Sequence, residues 1–224
     1  MLRKVPLIEG EHFHIYNRGV DKRIIFTDVH DYHRFIMLLY LCNSSKPVDI
    51  QALFREGLSF TELFSVHRDS LLVDIGAWVL MPNHFHLVLK SRVENGIPIF
   101  MKKVCTGYSS YFNKKHPRSG ALFQGPYKAE HASDDSYLKY LFSYLHLNPL
   151  KLIPGEAMWK ENGLKNKNNA INFINRYEYS SFPDYIEVGR KYECIINKKL
   201  FADVSIDFNE MIESMFDWLD SKDD

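Results

Sequence analysis

Apolar and polar positions alternate along EHFHIYN (11–17), which predicts a strand running into Arg18-Gly19. HDYHRFIMLLYLC (30–42) carries Phe35, Ile36, Leu38, Leu39 and Cys42 at helical spacing, with Asp28 or Asp31 as the cap. Residues 48–69 read as an inserted excursion with one or two short helices. LLVDIGAWVL (71–80) and HFHLVLK (84–90) predict two strands joined by Met81-Pro82-Asn83, a turn because Pro cannot donate to a central ladder. In 97–115 an apolar stripe runs through Phe100, Met101, Val104, Cys105, Tyr108, Tyr111 and Phe112, which predicts a long helix. YKAEHA (127–132) is a fourth strand, and Ser133-Asp134-Asp135 caps a helix that meets Pro149. Strand, helix, strand, strand, helix, strand is the order of a split βαβ unit. The expected fold is therefore α+β: a ferredoxin-like antiparallel sheet with helices on one face and a C-terminal helical extension. The expected division is a core domain at 1–155, with its insertion near 48–69, and an extension at 156–224 ending in an acidic amphipathic helix.

Composition narrows the class without choosing a function. The 224 residues suffice for one sizeable core, and 46% hydrophobic with 14% aromatic residues excludes intrinsic disorder. The formal net charge is zero, with 28 basic and 28 acidic residues, which argues against binding nucleic acid by bulk charge. That balance is local, however. Residues 76–155 hold ten basic and four acidic residues, whereas 200–224 hold eight acidic residues and one Lys. The three cysteines, Cys42, Cys105 and Cys194, are widely spaced and form no CxxC pair, so a reducing cytoplasm is expected. No apolar run has the length of a signal peptide core or a membrane span.

Two features could carry chemistry. In His84-Phe85-His86, strand alternation puts both imidazoles on one face and Phe85, Leu87 and Leu89 on the other. Such a pair can hold a metal ion, or can be two solvent-facing histidines of an amphipathic strand. On the last helix Tyr137, Tyr140 and Tyr144 share a side, with Asn148 one turn beyond Tyr144. An aromatic core stripe explains Tyr137 and Tyr140, helix geometry leaves Tyr144 undecided, and Asn148 before Pro149 also fits a C-terminal cap.

WVLMPNHFHLVL, FMKKVCTGYSSYFNKK, SGALFQGPYKAEH and YLKYLFSYLHLNPLKL, in this order over about 11–152, resemble the single-tyrosine HUH transposases (the IS200-like transposase domain), in their REP-associated tyrosine transposase-like branch. FHIYNRGVDKRIIF is similar to that family's opening strand, and YEYSSFPDY to a motif that follows its core. The resemblance implies that His84 and His86 hold a divalent ion, Mg²⁺ or Mn²⁺, with Asn148 contributing, and that Tyr144 is the nucleophile. It implies cleavage and rejoining of single-stranded DNA beside a hairpin through a 5′-phosphotyrosine, by a monomer or homodimer, with no membrane involved. Arg18, Lys102, Lys103, Lys114, Lys115, Arg118 and Lys128 are the candidates for phosphate contact. His14, His116, His131 and His146 are not needed by the motif and read as structural. Pro126 stands where the family often has Arg. The competing readings are a metal-dependent phosphodiesterase that uses water, and a non-catalytic hairpin-binding protein.

Overall fold

The computed structural model describes residues 6–186, 189–204 and 207–220. Strands β1 (His12–Arg18), β2 (Val73–Met81), β3 (His84–Ser91) and β4 (Lys128–Ala132) form one antiparallel sheet in the order β2-β3-β1-β4. Pro82-Asn83 closes the hairpin between β2 and β3. Helix α1 (Val29–Leu41) and the excursion containing α2 (Ile50–Arg55) connect β1 to β2. Helix α3 (Gly96–Lys115) connects β3 to β4. The register sets Tyr16 opposite His86, Arg18 opposite His84 and His14 opposite Glu130.

Strand alternation divides the interior in two. Phe13, Ile15, Phe85, Leu87 and Leu89 point into a core shared with α1 and α3, whose Phe100, Met101, Val104, Tyr108 and Phe112 recur every three or four residues. On the other face, Ala77, Val79, Met81 and Val88 pack against Leu141, Phe142 and Leu145 of α4 (Asp135–Leu147). Asp134 caps α4 by accepting from Tyr137 N at 2.7 Å. The chain then tightens into a 3-10 turn, Asn148–Leu152, where Pro149 removes a donor. Thus α1 and α3 cover one face, while α4 forms a second layer on the face that bears His84 and His86.

The extension completes that second layer. Its helices are α5 (Trp159–Asn162), α6 (Lys167–Arg176), α7 (Phe182–Tyr185) and α8 (Phe208–Asp220). Trp159, Ile174, Phe182, Phe201, Met211 and Met215 join the core of α4, so both sides of position 155 share one interior. Helix α8 buries Phe208, Met211 and Met215 and exposes Glu210, Glu213 and Asp217; Leu219, the last residue of the expected stripe, is not among the side chains described. The phrase YEYSSFPDY lies along the edge of β2: Leu80 N donates to Tyr179 O at 2.8 Å, and Ser181 N donates to Trp78 O at 2.9 Å. It thereby pairs an edge that would otherwise be open. Gly76 sits at a register shift in β2, and a Cβ there would come within 2.7 Å of the Phe201 ring. Only glycine permits that approach.

Under the other layer, Asp31 ties α1 to α3. Its carboxylate is fully buried and accepts from Thr27 N at 2.8 Å, Thr27 Oγ1 at 2.6 Å, Tyr111 Oη at 3.0 Å and Lys115 Nζ at 2.6 Å. Burial raises its pKa, but the Lys115 ammonium and the Thr27 donors outweigh burial and hold it below the ordinary value. A depressed carboxylate contributes stability above its unfolded pKa of about 4 and loses it as pH falls through the lower folded value. Asp31→Asn should cost about 2–3 kcal/mol at pH 7, less than a fully buried pair because Lys115 is partly solvated. The difference from the parent should shrink below about pH 4 in denaturant titrations.

Candidate active site

The face of β3 beneath α4 carries His84 and His86, with ring centroids 5.1 Å apart. Each ring engages a neighbour through Nδ1: His84 Nδ1 lies 2.6 Å from Asn83 Oδ1, and His86 Nδ1 lies 2.8 Å from His14 Nε2. Among the described residues no hydrogen bond reaches either Nε2. Tyr144 projects from α4 edge-on to His86, with centroids 5.5 Å apart and planes at 88°. Asn148, one turn on, lowers the pKa of the Tyr144 phenol from its place beside it. Its own Nδ2 is buried without a hydrogen-bond partner. Strand alternation and a four-residue helical step therefore converge on one spot within one chain.

Electrostatics keep the two imidazoles neutral. Burial first, then Lys151 and Arg18, push the His84 pKa down to about 4. Burial, then the neighbouring His14 and His84, lowers His86 well below its ordinary value. At neutral pH both rings thus retain a lone pair, as a metal ligand must. Burial raises the Tyr144 phenol, and Asn148 offsets only part of that rise. Lys160 of α5 lies over the Tyr144 ring, 4.6 Å from its centroid, and burial then Lys151 lower its pKa to about 8. Among the described residues no group of three or more His, Cys, Asp or Glu side chains converges as a metal cage. The available donors are two neutral imidazoles and the side-chain amide oxygen of Asn148 beside Tyr144. They fit an ion such as Mn²⁺ or Mg²⁺ that keeps positions open for water or phosphate oxygen.

Part of the chain, the stretch that holds these residues, is similar to a known family. Residues 54–148 match the IS200-like transposase family. The stretch includes His84, His86, Glu130, Tyr144 and Asn148, and leaves β1, α1 and the extension outside the match. No curated protein matches the chain. A solved structure titled "Structure of the REP associates tyrosine transposase bound to a REP hairpin" is similar at 11% identity and a TM-score of 0.49, over 85% of this chain and 87% of that one.

Of the cationic candidates outside the family match or within it, two stand at the histidines. Arg18 and Lys128 line a cavity of about 430 Å³ beside His84, together with Lys22, Asn17, Asn83 and Gln124. The Arg18 Nε donates to Gln124 Oε1, and Lys128 Nζ lies 5.7 Å from the Tyr16 ring centroid. Lys102, Lys103, Lys114 and Lys115 belong to α3, over the opposite face of the sheet. There Lys103 donates to Ser44 O at 2.6 Å, and Lys115 contacts both Asp28 and Asp31. Arg118 binds Asn113 and donates to Ala121 O at 3.0 Å, shaping the loop after α3. These bonds give Lys103, Lys115 and Arg118 structural work that their charge did not reveal.

Three contributors to the site escaped the sequence reading. Lys160 falls outside every motif, Lys22 lies in FHIYNRGVDKRIIF but is not among the phosphate candidates, and His14 reads as structural although it touches His86. The signal for His14 was its shared face with Tyr16 and Arg18 in β1, but only the strand register turns that face into a contact. His146, by contrast, is fully buried, with Nε2 2.8 Å from Ser181 Oγ, and serves the packing of YEYSSFPDY.

Proposed function

We propose that the chain is a metal-dependent single-stranded DNA transposase, cleaving and rejoining strands beside hairpins through a 5′-phosphotyrosine on Tyr144. The observation that carries this reading is the edge-on placement of Tyr144 over His86, with Nε2 of both histidines unengaged. The IS200-like match over the same residues and the motif order support it. A divalent ion held by His84, His86 and Asn148 would supply Lewis acidity at the scissile phosphate. Tyr144 Oη attacks phosphorus and forms the P–Oη bond. The bond from phosphorus to the 3′ oxygen breaks, the phenol proton passes to solvent or a nearby base, and the leaving oxygen takes up a proton as 3′-OH. The reverse attack by a 3′-OH on the phosphotyrosine rejoins a strand without an external energy source. Lys160, 4.6 Å from the Tyr144 ring centroid, brings a cation to this centre. The cavity with Arg18, Lys22 and Lys128 offers an approach for the flanking phosphates.

The test is incubation of the full chain with 5′- or 3′-labelled hairpin DNA and Mn²⁺ or Mg²⁺, resolved on a denaturing gel. A metal-dependent covalent adduct supports the reading. Cutting without an adduct would favour the water-using phosphodiesterase, and hairpin binding with no cutting would favour the binding protein. Phosphate contact should also sort the cations. Arg18→Ala and Lys128→Ala should each flatten the salt dependence of DNA affinity, by about 0.7 in the log–log slope for a single strand. Lys115→Ala should leave that slope unchanged and lower the melting temperature, since its partners are Asp28 and Asp31. Fluorescence anisotropy over a salt series and thermal melts check the two sets.

A further inference from the structure

His86 is not held by its own strand alone. His14 Nε2 lies 2.8 Å from His86 Nδ1, with the rings stacked at 18° and centroids 5.0 Å apart. The other nitrogen of His14, Nδ1, is buried and lacks a hydrogen-bond partner; the Glu130 carboxylate stands 3.7 Å from it, closer to an electrostatic contact than a hydrogen bond. Glu130 is itself fixed from two sides. Tyr16 Oη donates to its Oε1 at 2.6 Å, and Tyr137 Oη donates to its Oε2 at 3.1 Å. Three adjacent strands thus contribute one row: Glu130 from β4, His14 from β1 and His86 from β3.

Resting on the reading of His86 as a metal ligand, we propose that Glu130 and His14 form a positioning relay that selects the His86 tautomer with its proton on Nδ1 and its lone pair on Nε2. The argument is donor and acceptor arithmetic. Two ring nitrogens 2.8 Å apart share one proton, so one donates and the other accepts. A carboxylate beside His14 Nδ1 favours the proton at that nitrogen. A neutral His14 then has a bare Nε2, which can only accept. His86 Nδ1 must donate, and its Nε2 is left as the coordinating atom. Removing the anion or the acceptor frees His86 to put its proton on Nε2, where it blocks coordination. Glu130 fits this role as a carboxylate that accepts from two phenols, Tyr16 Oη and Tyr137 Oη, and stands beside His14 Nδ1. The residues therefore act through His86, as a carboxylate behind a metal-binding histidine does.

Long-range ¹H–¹⁵N spectra of ¹⁵N-histidine-labelled full-length protein read the tautomers directly, and calorimetric Mn²⁺ titration reads affinity. In the parent, His14 and His86 should both carry the proton on Nδ1. His14→Ala and Glu130→Gln should each move His86 toward the Nε2-protonated form and weaken Mn²⁺ binding by about 10–100-fold. Thermal melts show whether each variant is folded, and Glu130→Gln, an exposed-side change, keeps the test open should His14→Ala fail to fold. His86→Ala separates the two levels of the claim. If it leaves Mn²⁺ binding intact, the assignment of His86 as a ligand fails. If it removes binding while folded Glu130→Gln and His14→Ala bind Mn²⁺ like the parent, or if parent His86 is protonated on Nε2, the relay is overturned and the ligand assignment stands.

Discussion

Tyr144→Phe should abolish the covalent protein–DNA adduct and lower strand cleavage by at least about 10³-fold, the scale of removing a nucleophile outright. The substitution deletes one oxygen and leaves the ring that stacks on Tyr140 and stands against His86. Folding should therefore change by no more than about 1 kcal/mol, the worth of one partly solvated hydrogen bond. Mn²⁺ affinity and hairpin affinity should also persist, because the imidazoles and the cations beside His84 are untouched. That combination separates chemistry from structure. Residual adduct would point to Tyr140, one turn earlier, as the attacking phenol. Undiminished cutting would show that water performs the attack and would overturn the covalent reading.

Local periods place His84 and His86 on one face and Tyr144 beside Asn148, but it was the family resemblance that singled out Tyr144 and the histidine pair as candidates. Alternation in β3 fixes which face His84 and His86 share, and a four-residue step in α4 aligns Tyr144 with Asn148. The split βαβ order was legible for the same reason, since every strand and long helix carries its own period. Contacts between elements are a different matter. His14 alternates as plainly as His86, yet its role depends on β1 lying beside β3 in a particular register. Lys160 reaches the Tyr144 ring only because the chain after Leu152 turns back over α4. The lysines of α3 show the converse. Their spacing places them on the solvent side of that helix, but the sequence does not say which sheet face the helix covers. The division behind the zero net charge was legible in local tallies, but only the fold sets Arg18, Lys22 and Lys128 at the cavity and turns Glu210, Glu213 and Asp217 outward on α8.

Arg190→Ala should be the most damaging single change to stability, because it strands the fully buried Asp184 carboxylate. Arg190 Nε donates to Asp184 Oδ1 at 2.7 Å and its Nη2 to Oδ2 at 2.5 Å. The same guanidinium donates to Glu178 O at 2.8 Å and Ser180 O at 2.7 Å, so it holds YEYSSFPDY in the shape that pairs with β2. Loss of one partner of a buried pair costs about 3–5 kcal/mol, or roughly 10 °C in melting temperature for a chain of this size. Arg190→Lys should recover little, since an ammonium cannot reproduce two parallel bonds to the carboxylate. Asp184→Asn in the Arg190→Ala background should recover more, because it removes the unpaired charge. The pH dependence has a definite sign. Burial already raises the Asp184 pKa against the pull of Arg190. A carboxyl raised in the folded state is cheapest when protonated, so its cost grows as pH climbs from about 4 toward the folded value and then levels off. Without Arg190 that folded value rises further. The gap between Arg190→Ala and the parent should therefore be widest at neutral pH and narrow toward pH 4, and a gap that stays constant in denaturant titrations across that range would show that lost backbone contacts, rather than the stranded charge, account for the damage.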